Sequence, residues 1–283
     1  MTSDESLARI KGFVFDLDGT IWEGPTLLPG AAELVTAIRG AGHEVVFASN
    51  CSRHGGDVLR DRLVSMGITA ESRDVVTAFD LVGDEIRRRL GPVPVLVIGT
   101  DELVTVLREA GCRPVGEDQA SEALAVIVGV DPSFSYPRLR AAARAVAGGA
   151  AFFAINLDAR FPVGPDLFEP GCGALAAAIA TASGSDPIAF GKPEHPLFRV
   201  ALERIGRSPD VVAMVGDSTA SDMAGGRAAG MFTIWIDQNP SQPKPPTVDL
   251  VVRDPAELLR LWNKLAHEAG AGPGSVPTSQ TRL

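Results

Sequence analysis

The sequence predicts an α/β fold, a doubly wound parallel sheet core with an inserted α/β cap domain. Three observations carry this. Short Val-, Ile- and Phe-rich runs alternate with stretches of helical apolar spacing, which argues for parallel strands covered on both faces. Several of those runs end in polar residues, as strands do where an open α/β sheet builds its crevice. The interval between Ser49 and Lys192 is far longer than one crossover needs and contains strand-like runs of its own.

The elements follow in order. Residues 12–15 read as a buried strand that ends in FDLDGT. Ala31, Leu34, Val35 and Ile38 share one helical face and lead to a strand over 44–48. A second helical face, Leu59, Leu63 and Met66, follows. The long interval holds strands over 93–98, 124–130 and 151–155. Leu197, Val200, Ala201 and Ile205 give a further helix before strands over 211–215, 232–236 and 250–252. Residues 238–247, QNPSQPKPPT, form a proline-rich loop, and the tail beyond Gly270 lacks any periodicity. The expected division is a discontinuous core of residues 1–76 and 188–265, a cap of residues 77–187, and a disordered tail over 266–283.

Composition narrows the function classes. The 283 residues carry a net charge of −9, with 45% hydrophobic and 22% charged content, ordinary for a globular protein and unsuited to holding nucleic acid. No apolar stretch reaches bilayer length, so no membrane partner is expected. The polar, acidic N-terminus is unlike a secretory signal. The three cysteines, Cys51, Cys112 and Cys172, are widely spaced and odd in number, and read as free thiols of a reducing compartment. The expected localisation is cytoplasmic.

Four segments carry the chemistry: FDLDGT (15–20), FASN (47–50), GKPEH (191–195) and MVGDSTASD (214–222). Each alone reads as a cap or a turn. Together they bring Asp16, Asp18 and Asp217, with Asp222 nearby, to one crevice. Clustered carboxylates are costly unless a cation or proton compensates, and a hard divalent ion such as Mg²⁺ takes oxygen ligands of this kind. Ser49 offers a hydroxyl at a helix start, suited to an anion, and Lys192 adds a positive charge. This set describes a phosphoryl site.

In this order the four segments resemble the motifs of the haloacid dehalogenase superfamily of phosphohydrolases. Asp16 to Thr20 matches the first motif, Ser49 the second, Lys192 the third, and Gly216-Asp217 with Ser221-Asp222 the fourth. The resemblance spans residues 11–222 and implies a Rossmann-like core. It implies Asp16 as nucleophile, forming an aspartyl-phosphate, and Asp18 as general acid and base. It further implies Mg²⁺, replaceable by Mn²⁺ or Co²⁺, held by Asp16, Asp18, Asp217 and Asp222. Ser49, Asn50 and Lys192 are the implied phosphate ligands. Asp18 separates a phosphatase from dehalogenases, which lack a carboxylate there.

The insert resembles the type-II alpha cap of 4-nitrophenylphosphatases, phosphoglycolate and glycerol-phosphate phosphatases and nucleotide monophosphatases. The carrying residues are Ser49 to Arg53, Ala154 to Asp158 and Pro170 to Leu175. The implied activity is hydrolysis of small phosphorylated metabolites, such as sugar or polyol phosphates, phosphoglycolate or nucleotide monophosphates. Arg53, Asn156 and Asp158 are candidate substrate contacts, although Asn and Asp after a strand also read as a turn. Trp22 reads as core or flap packing. A homodimer through the cap is an oligomeric arrangement the resemblance allows. Two departures stand out: Phe161 precedes Pro162 where pyridoxal-phosphate phosphatases often carry His, and Ser221 replaces the usual Thr. A phosphotransferase or phosphomutase would use the same intermediate. A receiver-type signalling module shares the Asp, Ser and Lys chemistry but orders its acidic residues differently.

Overall fold

The computed structural model of the chain describes residues 3–164, 167–238 and 243–270. Strand β1 (Gly12–Phe15) is buried along its whole length. A short hairpin follows from β2 (Trp22–Glu23) and β3 (Thr26–Leu27). Next come β4 (Glu44–Ser49) and β5 (Val75–Thr77), then β6 (Pro94–Ile98), β7 (Arg113–Val115), β8 (Ala125–Val128) and β9 (Ala151–Ala154). A second hairpin pairs β10 (Arg160–Gly164) with β11 (Leu167–Pro170). The chain continues through β12 (Ile188–Ala189), β13 (Val212–Gly216), β14 (Phe232–Ile236) and β15 (Leu250–Val252).

Two parallel sheets result. The first has the order β15-β14-β13-β1-β4-β5, and the second β12-β9-β8-β6-β7. In the first sheet the order reverses at β1, which lies between β4 and β13. Phe15, the last residue of β1, is in register with Phe47 and Val215, so β4 runs on two residues to Ser49 and β13 one residue to Gly216 at the same edge. Ligand crevices form at such a switch point, beyond the carboxyl ends of the strands.

Alternation across β1 explains why both faces are covered. Phe13 and Phe15 point to a cluster with Leu34 and Ile38 of the helix Ala31–Gly40, and with Leu258 and Trp262 of the helix Pro255–Gly270. Trp262 meets Phe13 edge-on, with centroids 5.4 Å apart. Val14 points to the opposite face, against Leu197, Phe198 and Ala201 of the helix His195–Ile205. That second cluster runs on into Val95–Ile98, Val126–Val128 and Phe152–Phe153 of the other sheet.

The expected α/β architecture is found, with differences of detail. The sequence reading contains neither β5, β7 nor β12, which are two or three residues long. Strand β12 pairs with β9, so sheet membership changes after Ala189, two residues beyond the expected boundary at 187/188. The last helix runs to Gly270, past the expected end of the core at 265, because Leu258, Trp262 and its other apolar residues cover the first sheet. Of the tail expected to be disordered over 266–283, residues 266–270 belong to this helix, while those from 271 onward, like residues 239–242 of the proline-rich loop, lie outside the described residues. Among the described residues no helix is long and apolar enough to cross a membrane.

Candidate active site

The first motif leaves β1 in a tight loop. Asp16 N–H donates to Val215 O at 2.9 Å, while the N–H groups of Thr20, Ile21 and Trp22 converge on Leu17 O. Gly19 adopts φ +79°, and a Cβ there would stand 2.3 Å from Asp217 Oδ2. Glycine therefore serves twice, for the left-handed turn and for the approach of the carboxylate. Trp22 is fully buried, and its indole Nε1 donates to Asp18 Oδ1 at 2.8 Å. Asp18 itself is exposed.

The fourth motif closes on the first. A Cβ on Gly216 would stand 2.3 Å from Asp222 Oδ2, so this glycine too makes room for a carboxylate. Beyond it a single π-turn, Thr219–Met223, folds Asp222 back, where Ser218 N–H donates to its Oδ2 at 3.1 Å. Asp16, Asp217 and Asp222 each offer an oxygen within 4.8 Å of the others.

Lys192 enters this group from the third motif, fully withdrawn from solvent. Its ammonium hydrogen-bonds Asp16, lies 2.7 Å from Asp222 Oδ1, and donates to Ala48 O at 3.1 Å. Burial pushes the Asp16 carboxyl well above the usual range, against the pull of Lys192. Asp217 is pushed up to about 6, chiefly by loss of water around it and then by Asp222, although one side of the residue reaches the open cleft. Burial alone would lower Lys192; the charges of Asp16 and Asp222 outweigh it and hold the ammonium above its usual range. With all three carboxyls ionised, three carboxylates against one ammonium leave an excess of two negative charges in one place, which, after burial, is why Asp16 and Asp217 hold their protons more tightly when no cation is bound. A hard divalent cation fits that charge and that all-oxygen donor set.

All ten of the sequence-predicted residues line one cleft of about 370 Å³, yet not all present their side chains to it alike. Ser49 Oγ accepts Cys51 N–H at 3.1 Å. Asn50, expected among the phosphate ligands, turns its carboxamide to the main chain of Lys192. Asn156, expected as a substrate contact, is 2% exposed and bonds the main chain at Asn50 and Asp158. Asp158 stays at the cleft, its carboxyl raised mainly by burial. The Arg53 guanidinium stacks on the Phe161 ring at 4.4 Å.

Other lining residues escape the sequence reading. Arg62 stacks on Trp22 at 4.1 Å and donates to Gly24 O, but between Leu59 and Leu63 it reads as a solvated arginine. His54 Nδ1 lies 3.5 Å from Glu102 Oε2. A somewhat larger cavity, about 430 Å³, lies between Glu117–Glu122 and the helix Tyr136–Ala147. It contains none of the motif residues, so the chemistry belongs to the smaller cleft.

Comparison with known proteins agrees with this geometry. A family model described as haloacid dehalogenase-like hydrolase matches residues 13–113, and a HAD-hydrolase-like model matches residues 189–257. A 5′-nucleotidase of Bacillus subtilis is 31% identical over 226 residues, covering 80% of this chain and 86% of that protein. The p-nitrophenyl phosphatase from Archaeoglobus fulgidus superposes with a TM-score of 0.80 at 29% identity, over 89% of this chain and 98% of that one. A glycerol phosphate phosphatase from Mycobacterium tuberculosis, solved in complex with magnesium, gives 0.79 at 28% identity, over 90% of this chain and 77% of that one. With the motifs meeting in one crevice and matches of this extent, the chain belongs to the haloacid dehalogenase-like hydrolases and is a phosphoric monoester hydrolase of that superfamily.

Proposed function

We propose that the enzyme is a Mg²⁺-dependent phosphatase of small phosphorylated metabolites that works through an aspartyl-phosphate on Asp16. One observation carries the reading: Asp16 offers an oxygen within 4.8 Å of those of two further carboxylates, beside the Lys192 ammonium and two residues before the oriented Asp18. Asp16, Asp217 and Asp222, with the Asp18 carbonyl by resemblance, would hold the ion. When bound, Mg²⁺ supplies positive charge that offsets the crowded carboxylates and the phosphoryl oxygens.

Asp16 attacks phosphorus, and the bond from phosphorus to the leaving oxygen breaks as the bond to the Asp16 oxygen forms. Asp18 gives its proton to the leaving alkoxide. It then takes a proton from water, whose oxygen attacks phosphorus and releases Asp16 and inorganic phosphate. Ser49 and Lys192 hold the transferring phosphoryl group. The second sheet and its helices, from residue 78 through β12, act as the lid over the core built on the first sheet. Arg53, Phe161 and Asp158 at the cleft meet the leaving group, and a space of roughly 370 Å³ has room for a small phosphorylated molecule. Sugar or polyol phosphates, phosphoglycolate and nucleotide monophosphates are the candidate classes.

Phosphate release from 4-nitrophenyl phosphate, with Mg²⁺ and water as sole acceptor, tests the reading. Asp16→Asn is expected to lower kcat on the order of 10³-fold or more while leaving Tm close to wild type. Residual turnover within about tenfold of wild type, or undiminished rates in excess chelator, overturns it.

A further inference from the structure

Asn156 lies two residues beyond β9, where the second sheet meets the cleft. Its Nδ2 donates to the main-chain oxygen of Asn50, and its Oδ1 accepts Asp158 N–H at 3.1 Å. Asn50 directly follows the core strand β4. Its own carboxamide closes a two-bond pair with the Lys192 main chain: Oδ1 accepts Lys192 N–H at 2.6 Å, and Nδ2 donates to Lys192 O at 3.1 Å. The returning passage is tied to the same place, because β12 pairs with β9 and Gly191 N–H donates to Ile155 O at 2.8 Å. A Cβ on Gly191 would stand 2.6 Å from Asn50 Oδ1 and 3.2 Å from Asn156 Cβ, so the close approach needs glycine.

Three segments of chain, the end of core strand β4, the end of strand β9 of the second sheet and the return to the core, thus meet at two amide side chains. They meet at the base of the one lysine whose tip grips Asp16 and Asp222. A lysine stem is flexible, and fixing its tip without fixing its backbone would leave the ammonium free to follow any shift of the loop. A carboxamide suits the task because each offers both a donor and an acceptor. Buried bonds of this kind are costly to leave unmade.

We infer that Asn156 and Asn50 form an amide relay that positions Lys192, so that the pose of the cap sheet is transmitted to the ammonium that holds the phosphoryl group. The inference rests on the proposed role of Lys192 as a phosphoryl ligand. It makes Asn156 a positioning residue that serves every substrate alike, not a selector of leaving groups.

The test uses the full chain with Mg²⁺ and compares Asn156→Ala, Asn156→Asp, Lys192→Ala and the double variants. Asn156→Asp keeps the acceptor for Asp158 N–H and loses the donor to Asn50, so it probes the relay even where the alanine variant fails to fold. In either variant, kcat/KM for 4-nitrophenyl phosphate and for glycerol phosphate is expected to fall by one common factor of about 10–100. In the Lys192→Ala background the same substitution is expected to add less than about threefold, because its route is already cut. Inorganic phosphate affinity by titration calorimetry supplies the same cycle where turnover is too slow to measure. A full additional loss in the Lys192→Ala background overturns the relay, and so does a loss that differs between the two substrates. If Lys192→Ala itself changes neither turnover nor phosphate affinity, the role assigned to Lys192 fails, and that outcome is distinct from failure of the relay.

Discussion

At Asp18 the neighbouring indole fixes one carboxylate oxygen at 2.8 Å, so the group is oriented by a neutral donor. An acid used for protonation matters most where the leaving group is a strong base. Asp18→Asn is therefore expected to slow phosphorylation of Asp16 by an alkyl phosphate about 10²–10⁴-fold, and phosphorylation by 4-nitrophenyl phosphate far less. Single-turnover burst measurements with both substrates check this; equal losses would mean that Asp18 is not the acid. The motif residues were legible because their order along the chain is itself information, four polar segments each following or preceding an apolar run. The work of Asn50 was not legible. Its partner lies 142 positions away, and nothing in local spacing tells an amide that binds phosphate from one that binds a distant backbone. Trp22 was read as packing, which its burial bears out, but its bond to Asp18 depends on a turn whose geometry only the fold supplies.

Among the elements, the helix Ala78–Leu90 shows how the insert is fastened to the core. Thr77 caps it by accepting Asp80 N–H at 3.1 Å, and Leu81, Val82 and Ile86 share its buried side. Glu85 on the same helix is 2% exposed and pairs with Arg199 of the helix His195–Ile205 at 2.9 Å and with Arg88 at 2.6 Å. Burial pushes its carboxyl up, but the hydrogen bonds and charges of Arg88 and Arg199 outweigh burial and hold it below its ordinary 4.5. A depressed carboxyl contributes stability above its unfolded pKa, and that contribution disappears as pH falls through the folded value. Glu85→Gln is thus expected to lower stability by about 1–3 kcal/mol at neutral pH, since the arginines left behind are partly exposed and rehydrate. Its deficit against wild type should shrink as pH falls below 4.5. Urea denaturation over a pH series from neutral to well below the ordinary carboxyl range measures both; a deficit independent of pH rules out the ion pair as its source. The long apolar strands of both sheets were readable because burial on two faces demands continuous Val, Ile and Phe. Strands β5, β7 and β12 were not, since two or three residues such as Arg113-Pro114-Val115 carry no periodicity and become strands only by lying beside a neighbour.

At the scale of the whole molecule, two sheets share one apolar interior. Val14, Val46 and Met214 of the first sheet belong to the same cluster as Val95, Val126 and Phe153 of the second. Phe153 stacks on Phe190 at 5.2 Å where the chain returns to the core, and Arg89 covers both rings at 5.9 and 5.3 Å. Separate lids usually meet their cores through smaller, more polar contacts and move or melt on their own. A shared interior argues instead for one cooperative unit, with any cap movement limited to what the amide relay and the ring stack allow. Calorimetric melting is therefore expected to give a single transition whose van't Hoff and calorimetric enthalpies agree. Because the carboxylates that would hold Mg²⁺ lie at the edge of this unit, saturating Mg²⁺ should raise the whole transition. At a hundredfold excess over Kd the stabilisation is about 2.7 kcal/mol, or on the order of 5 °C or more for a chain of this size. Asp217→Asn should remove most of that rise. Two resolved transitions, with only one responding to Mg²⁺, would show that cap and core unfold separately in spite of the apolar cluster that joins them.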